Sequence, residues 1–128
     1  MTISKGFEPN RRGSSAKRRM IAVVAFDGVV LGDLAAPCEV FGHVRDSRGS
    51  PFYDVRVCSL APVIESEHLT LNVPWRLSSL KHADTVIIPG IDNPDRSLSK
   101  ELLRAVSGAV RRGARVASIC SGSTPAPV

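Results

Sequence analysis

Two apolar runs, Met20–Phe26 (MIAVVAF) and Asp84–Pro89 (DTVIIP), restrict this chain more than any other feature. Each has the length of a strand, and the apolar residues follow one another without alternation. A strand that is apolar on both sides has to be covered on both, which favours the centre of a parallel sheet flanked by helices. Asp27-Gly28 and Pro89-Gly90 then end the two runs with turn chemistry.

What lies between the runs fits that frame. Gly32 or Asp33 is placed to cap a helix over about Leu34–Asp46, with Leu34, Cys38, Phe41 and Val44 near helical spacing and Pro37 in its first turn. Tyr53–Leu60 alternates, so it reads as a half-buried or edge strand. His68–Val73 alternates again and suits a short strand or hairpin arm, and Trp75–Leu80 reads as a helical turn with Trp75 and Leu80 inward. Ser97 or Ser99 opens a second helix carrying Leu102, Leu103, Val106 and Val110 on one face. Its basic last turn suits the helix dipole, and Gly113 is the expected residue just past its end. The order β-α-β-(β)-β-α-β predicts an α/β sheet with helices on both faces. Ligands of such sheets bind beyond the carboxyl ends of the strands, where Asp27-Gly28 and Pro89-Gly90 should converge.

A third strand end carries the most pointed chemistry. Arg115–Ile119 reads as a short buried strand, followed at once by Cys120-Ser121-Gly122. A cysteine on a sharp strand-to-helix turn needs small neighbours, and the N–H groups beyond it can lower the thiol pKa or hold an oxyanion. A buried, inert structural cysteine fits the same spacing.

Charge and cysteine usage narrow the classes. The net charge of +5 is located in Met1–Arg19, where six basic side chains face the single acid Glu8; residues 20–128 hold 11 basic and 11 acidic side chains. The chain therefore reads as a basic, disordered tail over residues 1–19 and one domain over residues 20–128. A basic arm can touch nucleic acid or anionic lipid, but a solvated leader is the simpler reading. Aromatics are only 5% of the residues, which does not advertise stacking on bases. No stretch reaches the roughly 20 apolar residues of a membrane span, so the expected location is the cytoplasm and no membrane partner is expected. Cys38, Cys58 and Cys120 form no short pair, and His43, His68 and His82 sit on polar or helical stretches. Neither a disulfide framework nor a metal site is expected, and no cofactor.

Three stretches in order, Phe26–Gly42 (FDGVVLGDLAAPCEVFG), Asp84–Gly90 (DTVIIPG) and Gly113–Gly122 (GARVASICSG), resemble the DJ-1/PfpI superfamily. They are most similar to the glutamine-amidotransferase-like N-terminal domains of AraC-type transcription regulators. The resemblance covers about residues 20–122 and implies a flavodoxin-like parallel sheet with helices on both faces. It implies Cys120 at the nucleophile elbow, with Asp33 in the position of the aspartate that works with that cysteine in isonitrile hydratases of the superfamily. Glu39 is a weaker match to the acidic residue that hydrogen-bonds the cysteine in DJ-1-like members. Gly28, Gly90, Ser121 and Gly122 are the candidate ligand-binding positions.

After Gly122 the pattern changes. The family continues with a helix of the type A-F-x-L-A-x-A-G-L-L and a T-T-H-W segment, whereas this chain reads Ser123–Val128 (STPAPV). The resemblance therefore implies a fold incomplete at its C-terminus, a truncated ligand-sensing domain without a helix-turn-helix, inactive alone. A Cys-dependent enzyme of the isonitrile hydratase or amidohydrolase kind is the alternative. Since a nearby carboxylate raises rather than lowers a thiol pKa, Asp33 does not by itself activate Cys120. Expected partners are a small-molecule ligand, a second copy or aggregate through bare sheet, and DNA only through a domain this sequence lacks.

Overall fold

The computed structural model describes residues 19–93 and 95–119. Strand β1 (Arg19–Val24) leads into α1 (Leu31–Gly42), β2 (Tyr53–Ser59), a hairpin of β3 (Val63–Glu65) and β4 (Thr70–Asn72), and the two-residue β5 (Trp75–Arg76). A 3-10 helix (Leu77–His82), β6 (Thr85–Ile88), α2 (Lys100–Arg111) and β7 (Arg115–Ser118) complete it. The main sheet has the order β5-β2-β1-β6-β7, and every pairing in it is parallel. β3 and β4 form a separate antiparallel pair.

β1 is the central strand, as its unbroken apolar run requires. Ile21, Val23 and Ala25 point into a cluster with Leu34, Ile64, Val73 and Ile87 on the α1 side. Met20, Ala22 and Val24 point the other way, against Cys58, Leu77, Leu80, Val86, Leu102 and Ala109. Ala22, Val23 and Val24 are wholly removed from water. This period-two division between two filled layers makes the fold a three-layer α/β sandwich, and it is flavodoxin-like as expected.

The second helix follows the sequence closely at its ends. Ser99 caps it, its hydroxyl accepting from the Leu102 N–H at 3.1 Å, and Gly113 adopts φ +102° just past it. The buried face differs from expectation. Leu102, Ala105, Val106 and Ala109 pack inward, whereas Leu103 and Val110 stay about half exposed. Small residues at 105 and 109 let the helix approach the sheet, and they displace the stripe by one position.

Three further expectations are corrected. α1 begins at Leu31 rather than Leu34 and ends at Gly42, with Val30 at its N-cap and no side-chain cap bond. Pro37 thereby falls in the helix interior, where it has no N–H to offer the Asp33 carbonyl. Trp75 does not turn inward: it lies on β5, 39% exposed, under the Arg56 guanidinium at 4.1 Å from the ring centroid. Arg56 is held in turn by Asp54 at 2.9 Å. β7 is exposed along all four residues instead of buried. It pairs with β6 on one edge and has no strand on the other among the described residues.

One arginine ties the hairpin to the main sheet. Arg76 donates to the carbonyls of Ser59, Ala61 and Val73 and to the Ser59 hydroxyl, at 2.6–3.3 Å. Ser59 is completely buried, and its hydroxyl also donates to the Ala61 carbonyl. Charge-assisted bonds are the strong ones. Arg76→Ala is expected to lower stability by about 2–4 kcal/mol, with Arg76→Lys recovering only part of it. Urea unfolding of the three proteins checks this, and a loss below about 0.5 kcal/mol, typical of an ordinary surface change, contradicts it.

Candidate functional site

In a sheet of this order the strand sequence reverses between β1 and β6, so a crevice opens at their carboxyl ends. Chain leaving β1 passes through Asp27 and Gly28, and chain leaving β6 through Pro89 and Gly90. The two exits are bonded to each other. Val29 and Ile91 form an isolated antiparallel bridge, the Asp92 N–H donates to the Gly28 carbonyl at 2.8 Å, and the Val30 N–H donates to the Gly90 carbonyl at 2.9 Å.

Asp33 closes this arrangement. In the first turn of α1, its Oδ2 accepts the Gly90 N–H at 3.1 Å. A carboxylate there is also favoured by the helix dipole. Both polar backbone groups of Gly90 are thus engaged by the first residues of α1 and its approach. This explains why α1 starts early: the side chain expected to cap the helix is drawn to a strand end 57 residues away. The consequence for chemistry is direct. The Gly90 N–H is already donating to Asp33, so it is not a free oxyanion donor, and Asp33 Oδ2 is engaged in positioning it.

Gly28 is favoured by its backbone conformation, and the side chains beside it would have to shift for a larger residue. Its φ is +85°, and a Cβ there would stand 2.7 Å from Arg96 Nε and 2.8 Å from Asp92 Oδ1. Asp92 and Arg96 themselves pair at 3.5 Å across the turn. On the other flank Asp27 Oδ1 accepts the Glu65 N–H at 2.9 Å, and the Gly28 N–H donates to the Glu65 carbonyl at 2.8 Å. The hairpin is therefore pinned to the same turn. Asp27, Asp92 and Arg96 had no functional signal in the sequence; only the Asp-Gly dipeptide and the i, i+4 spacing of 92 and 96 pointed toward them.

Of the candidate residues, Gly28, Asp33 and Gly90 meet at this edge. Glu39 does not join them: it sits on the exposed side of α1, 3.8 Å from His43, with 74% of its side chain in water. Cys120, Ser121 and Gly122 lie outside the described residues. Ile119, immediately before them, donates its N–H to the Ile88 carbonyl at 2.9 Å, so the third strand end runs alongside the exit of β6. Among the described residues no group of three or more His, Cys, Asp or Glu side chains stands close enough to hold a metal ion.

The two described cysteines are poor nucleophiles. Burial, and then the charge of Glu39, push the Cys38 thiol up. Burial pushes Cys58 up to about 11, against smaller opposing effects of Arg56 and Arg76. The folded protein therefore keeps the Cys58 proton at pH values where the unfolded chain has lost it. The resulting stability is complete below the unfolded thiol pKa and is lost as pH rises from about 9 toward 11. Urea midpoints measured across that range are expected to fall, and Cys58→Ala is expected to flatten the fall; an identical slope in the variant contradicts this.

No family model matches this chain, and no curated protein matches it. Solved structures do. A ThiJ/PfpI family protein from Pseudomonas syringae superposes with a TM-score of 0.67 at 16% identity, over 91% of this chain and 50% of the other. An AraC family transcriptional regulator from Pseudomonas putida gives 0.61 at 15% identity, over 78% of this chain and 63% of the other. A protein from Anabaena variabilis with DJ-1/ThiJ/PfpI-like and ferritin-like domains gives 0.61 at 20%, over 82% of this chain and 30% of the other. This chain thus spans between about a third and two thirds of the length of these structures. What the likeness establishes is the architecture: this chain has the fold of the DJ-1/ThiJ/PfpI proteins, the one its three motifs resemble.

Proposed function

We propose that this chain forms part of the ligand-sensing domain of an AraC-type transcription regulator, acts in the cytoplasm, and turns over no substrate on its own. The observation that carries the reading is the bond from the Gly90 N–H to Asp33. It engages Asp33 Oδ2 and the strand-end N–H of Gly90 with each other, so neither of these two atoms stands free for a Cys120-dependent reaction. Similarity to a regulator structure supports the sensing role. DNA contact is assigned to a separate domain, because α1 and α2 pack on opposite faces of the sheet and form no helix-turn-helix. Among the described residues no helix is long and apolar enough to cross a membrane.

The decisive comparison is the full 128-residue chain against Cys120→Ser, assayed on isonitriles, amides and 2-oxoaldehydes. Equal, background rates are expected, with Cys120 alkylation titrating near the ordinary thiol value of about 8.5. Turnover lost in Cys120→Ser, or alkylation with a midpoint below about pH 7, contradicts the reading and favours the enzyme.

The edge of β7 that no strand covers among the described residues is proposed as a self-association surface. The Arg115 N–H donates to the Asp84 carbonyl just before β6 and the Ile119 N–H to Ile88 at its end, so the alternate residues Val116 and Ser118 present their N–H and C=O groups outward. Val116 adds a 39% exposed side chain beside them. Size-exclusion with light scattering is expected to find dimers or larger species, shifted toward monomer by Val116→Lys. A monomeric parent chain contradicts this.

A further inference from the structure

A cleft of about 280 Å³ opens at the carboxyl end of β1, between the segment leading into the hairpin and the segment entering α2. It lies where the sheet ends, so its apolar lining is drawn from both layers of the core. Leu77 and Leu102 come from the α2 side, Ile64 comes from the α1 side, and Phe26 packs against both. Leu60 and Val63 also line it, and both are about half exposed. Such a surface suits a short aliphatic body.

Charge decides the head group. Two ionisable side chains line the cleft, Asp27 and Arg96. Arg96 pairs at 3.5 Å with Asp92, which stands outside the lining, so its charge is already compensated. Asp27 has no such partner. Its Oδ1 accepts the Glu65 N–H at 2.9 Å, Oδ2 is left as an acceptor, and no cationic side chain pairs with it among the described residues. The cleft thus presents one uncompensated negative charge. The partial positive charge at the start of α2 is offset by Glu101 in that helix's first turn. An anion entering here meets Asp27 at like charge. A neutral occupant that covers the carboxylate leaves it with neither water nor a counter-charge. A cation supplies one. Ser97 and Ser99 add hydroxyl oxygens, and that of Ser99, which takes the Leu102 N–H, keeps a second lone pair. With Asp27 Oδ2 these make three acceptors, as many as a primary ammonium has N–H donors.

We infer that this cleft binds a short aliphatic primary amine in its ammonium form, with Asp27 as the counter-charge, and that such a molecule is the signal sensed. The inference rests on the sensing reading above and names its ligand class. Asp27 also holds the hairpin through Glu65, and Gly28 beside it is bonded to Asp92, so an occupant here acts on the turn that closes the rim.

The test titrates the full 128-residue chain with hexylamine at about pH 7, where the amine is protonated, and follows backbone amide shifts by NMR. Hexanoate, hexanamide and hexyltrimethylammonium, which carries the charge but no N–H, are the controls. Saturable shifts are expected at Phe26, Asp27, Ser97 and Leu102, with each control at least about tenfold weaker. The chain's net charge of +5 works against non-specific uptake of a cation, so this selectivity reads the cleft. Asp27→Asn removes the charge and keeps Oδ1 for the Glu65 N–H; it is expected to weaken hexylamine at least about tenfold and leave hexanamide unchanged. Ser97→Lys, at an exposed position, gives the cleft an ammonium of its own and is expected to abolish binding, so the outcome does not depend on one variant folding. Absent binding, equal binding of any control, or unchanged hexylamine affinity in either folded variant overturns the assignment. Cys120-dependent turnover would instead overturn the sensing reading, whatever the cleft holds, so the two failures are separable.

Discussion

Everything in this fold hangs on β1 being covered from both sides. Six consecutive residues, 20–25, alternate between two apolar layers, with Phe26 packed against both, and each layer is completed by elements far away in sequence. At about 25 cal/mol per Å² of apolar surface buried, a strand of this kind contributes more than any hydrogen bond in the molecule. It also fixes where function can be placed. Once β1 is central and parallel to both neighbours, its carboxyl end faces that of β6, and the crevice between them follows from topology alone.

The polar groups at that end are used to hold it shut. Gly90 gives its N–H to Asp33 and its carbonyl to Val30, and Gly28 gives its N–H to Glu65 and its carbonyl to Asp92. Buried or half-buried backbone groups that leave a sheet have lost their ladder partners, and the costs of leaving them unmade are large. Here each is satisfied by the next element along or by a carboxylate. The result is a rigid rim rather than a set of free donors. Such a rim suits recognition of a bound molecule better than stabilisation of charge that develops during a reaction.

Much of this was legible in the sequence, and the parts that were not share a cause. The two apolar runs, the Ser99 cap, the Gly113 terminus and the alternation of Tyr53, Val55 and Val57 are local signals, and each is found where its pattern put it. α1 started early because Asp33 answers to Gly90, and Trp75 turned outward because Arg56, two strands' length away in the chain, stacks on it. β7 is apolar enough to read as buried, yet burial depends on a cover that pattern alone does not supply. At the site, Gly28, Asp33 and Gly90 were visible as turn and motif residues; the Asp92–Arg96 pair, in a loop, and the Arg76 tie, from a two-residue strand, were not, since segments this short or irregular carry no periodicity.

The central claim is that β1 is the last element to open and that the β7 edge is the first. Native-state hydrogen exchange measures it directly. Amides of Ala22, Val23 and Val24 are expected to exchange only through global unfolding, with denaturant dependence equal to that of the whole protein, while the outward amides of Val116 and Ser118, followed at a dilution where the chain is monomeric, exchange rapidly. Exchange of the β1 amides through small local openings, or protection of Val116 equal to that of Val23, would contradict the account.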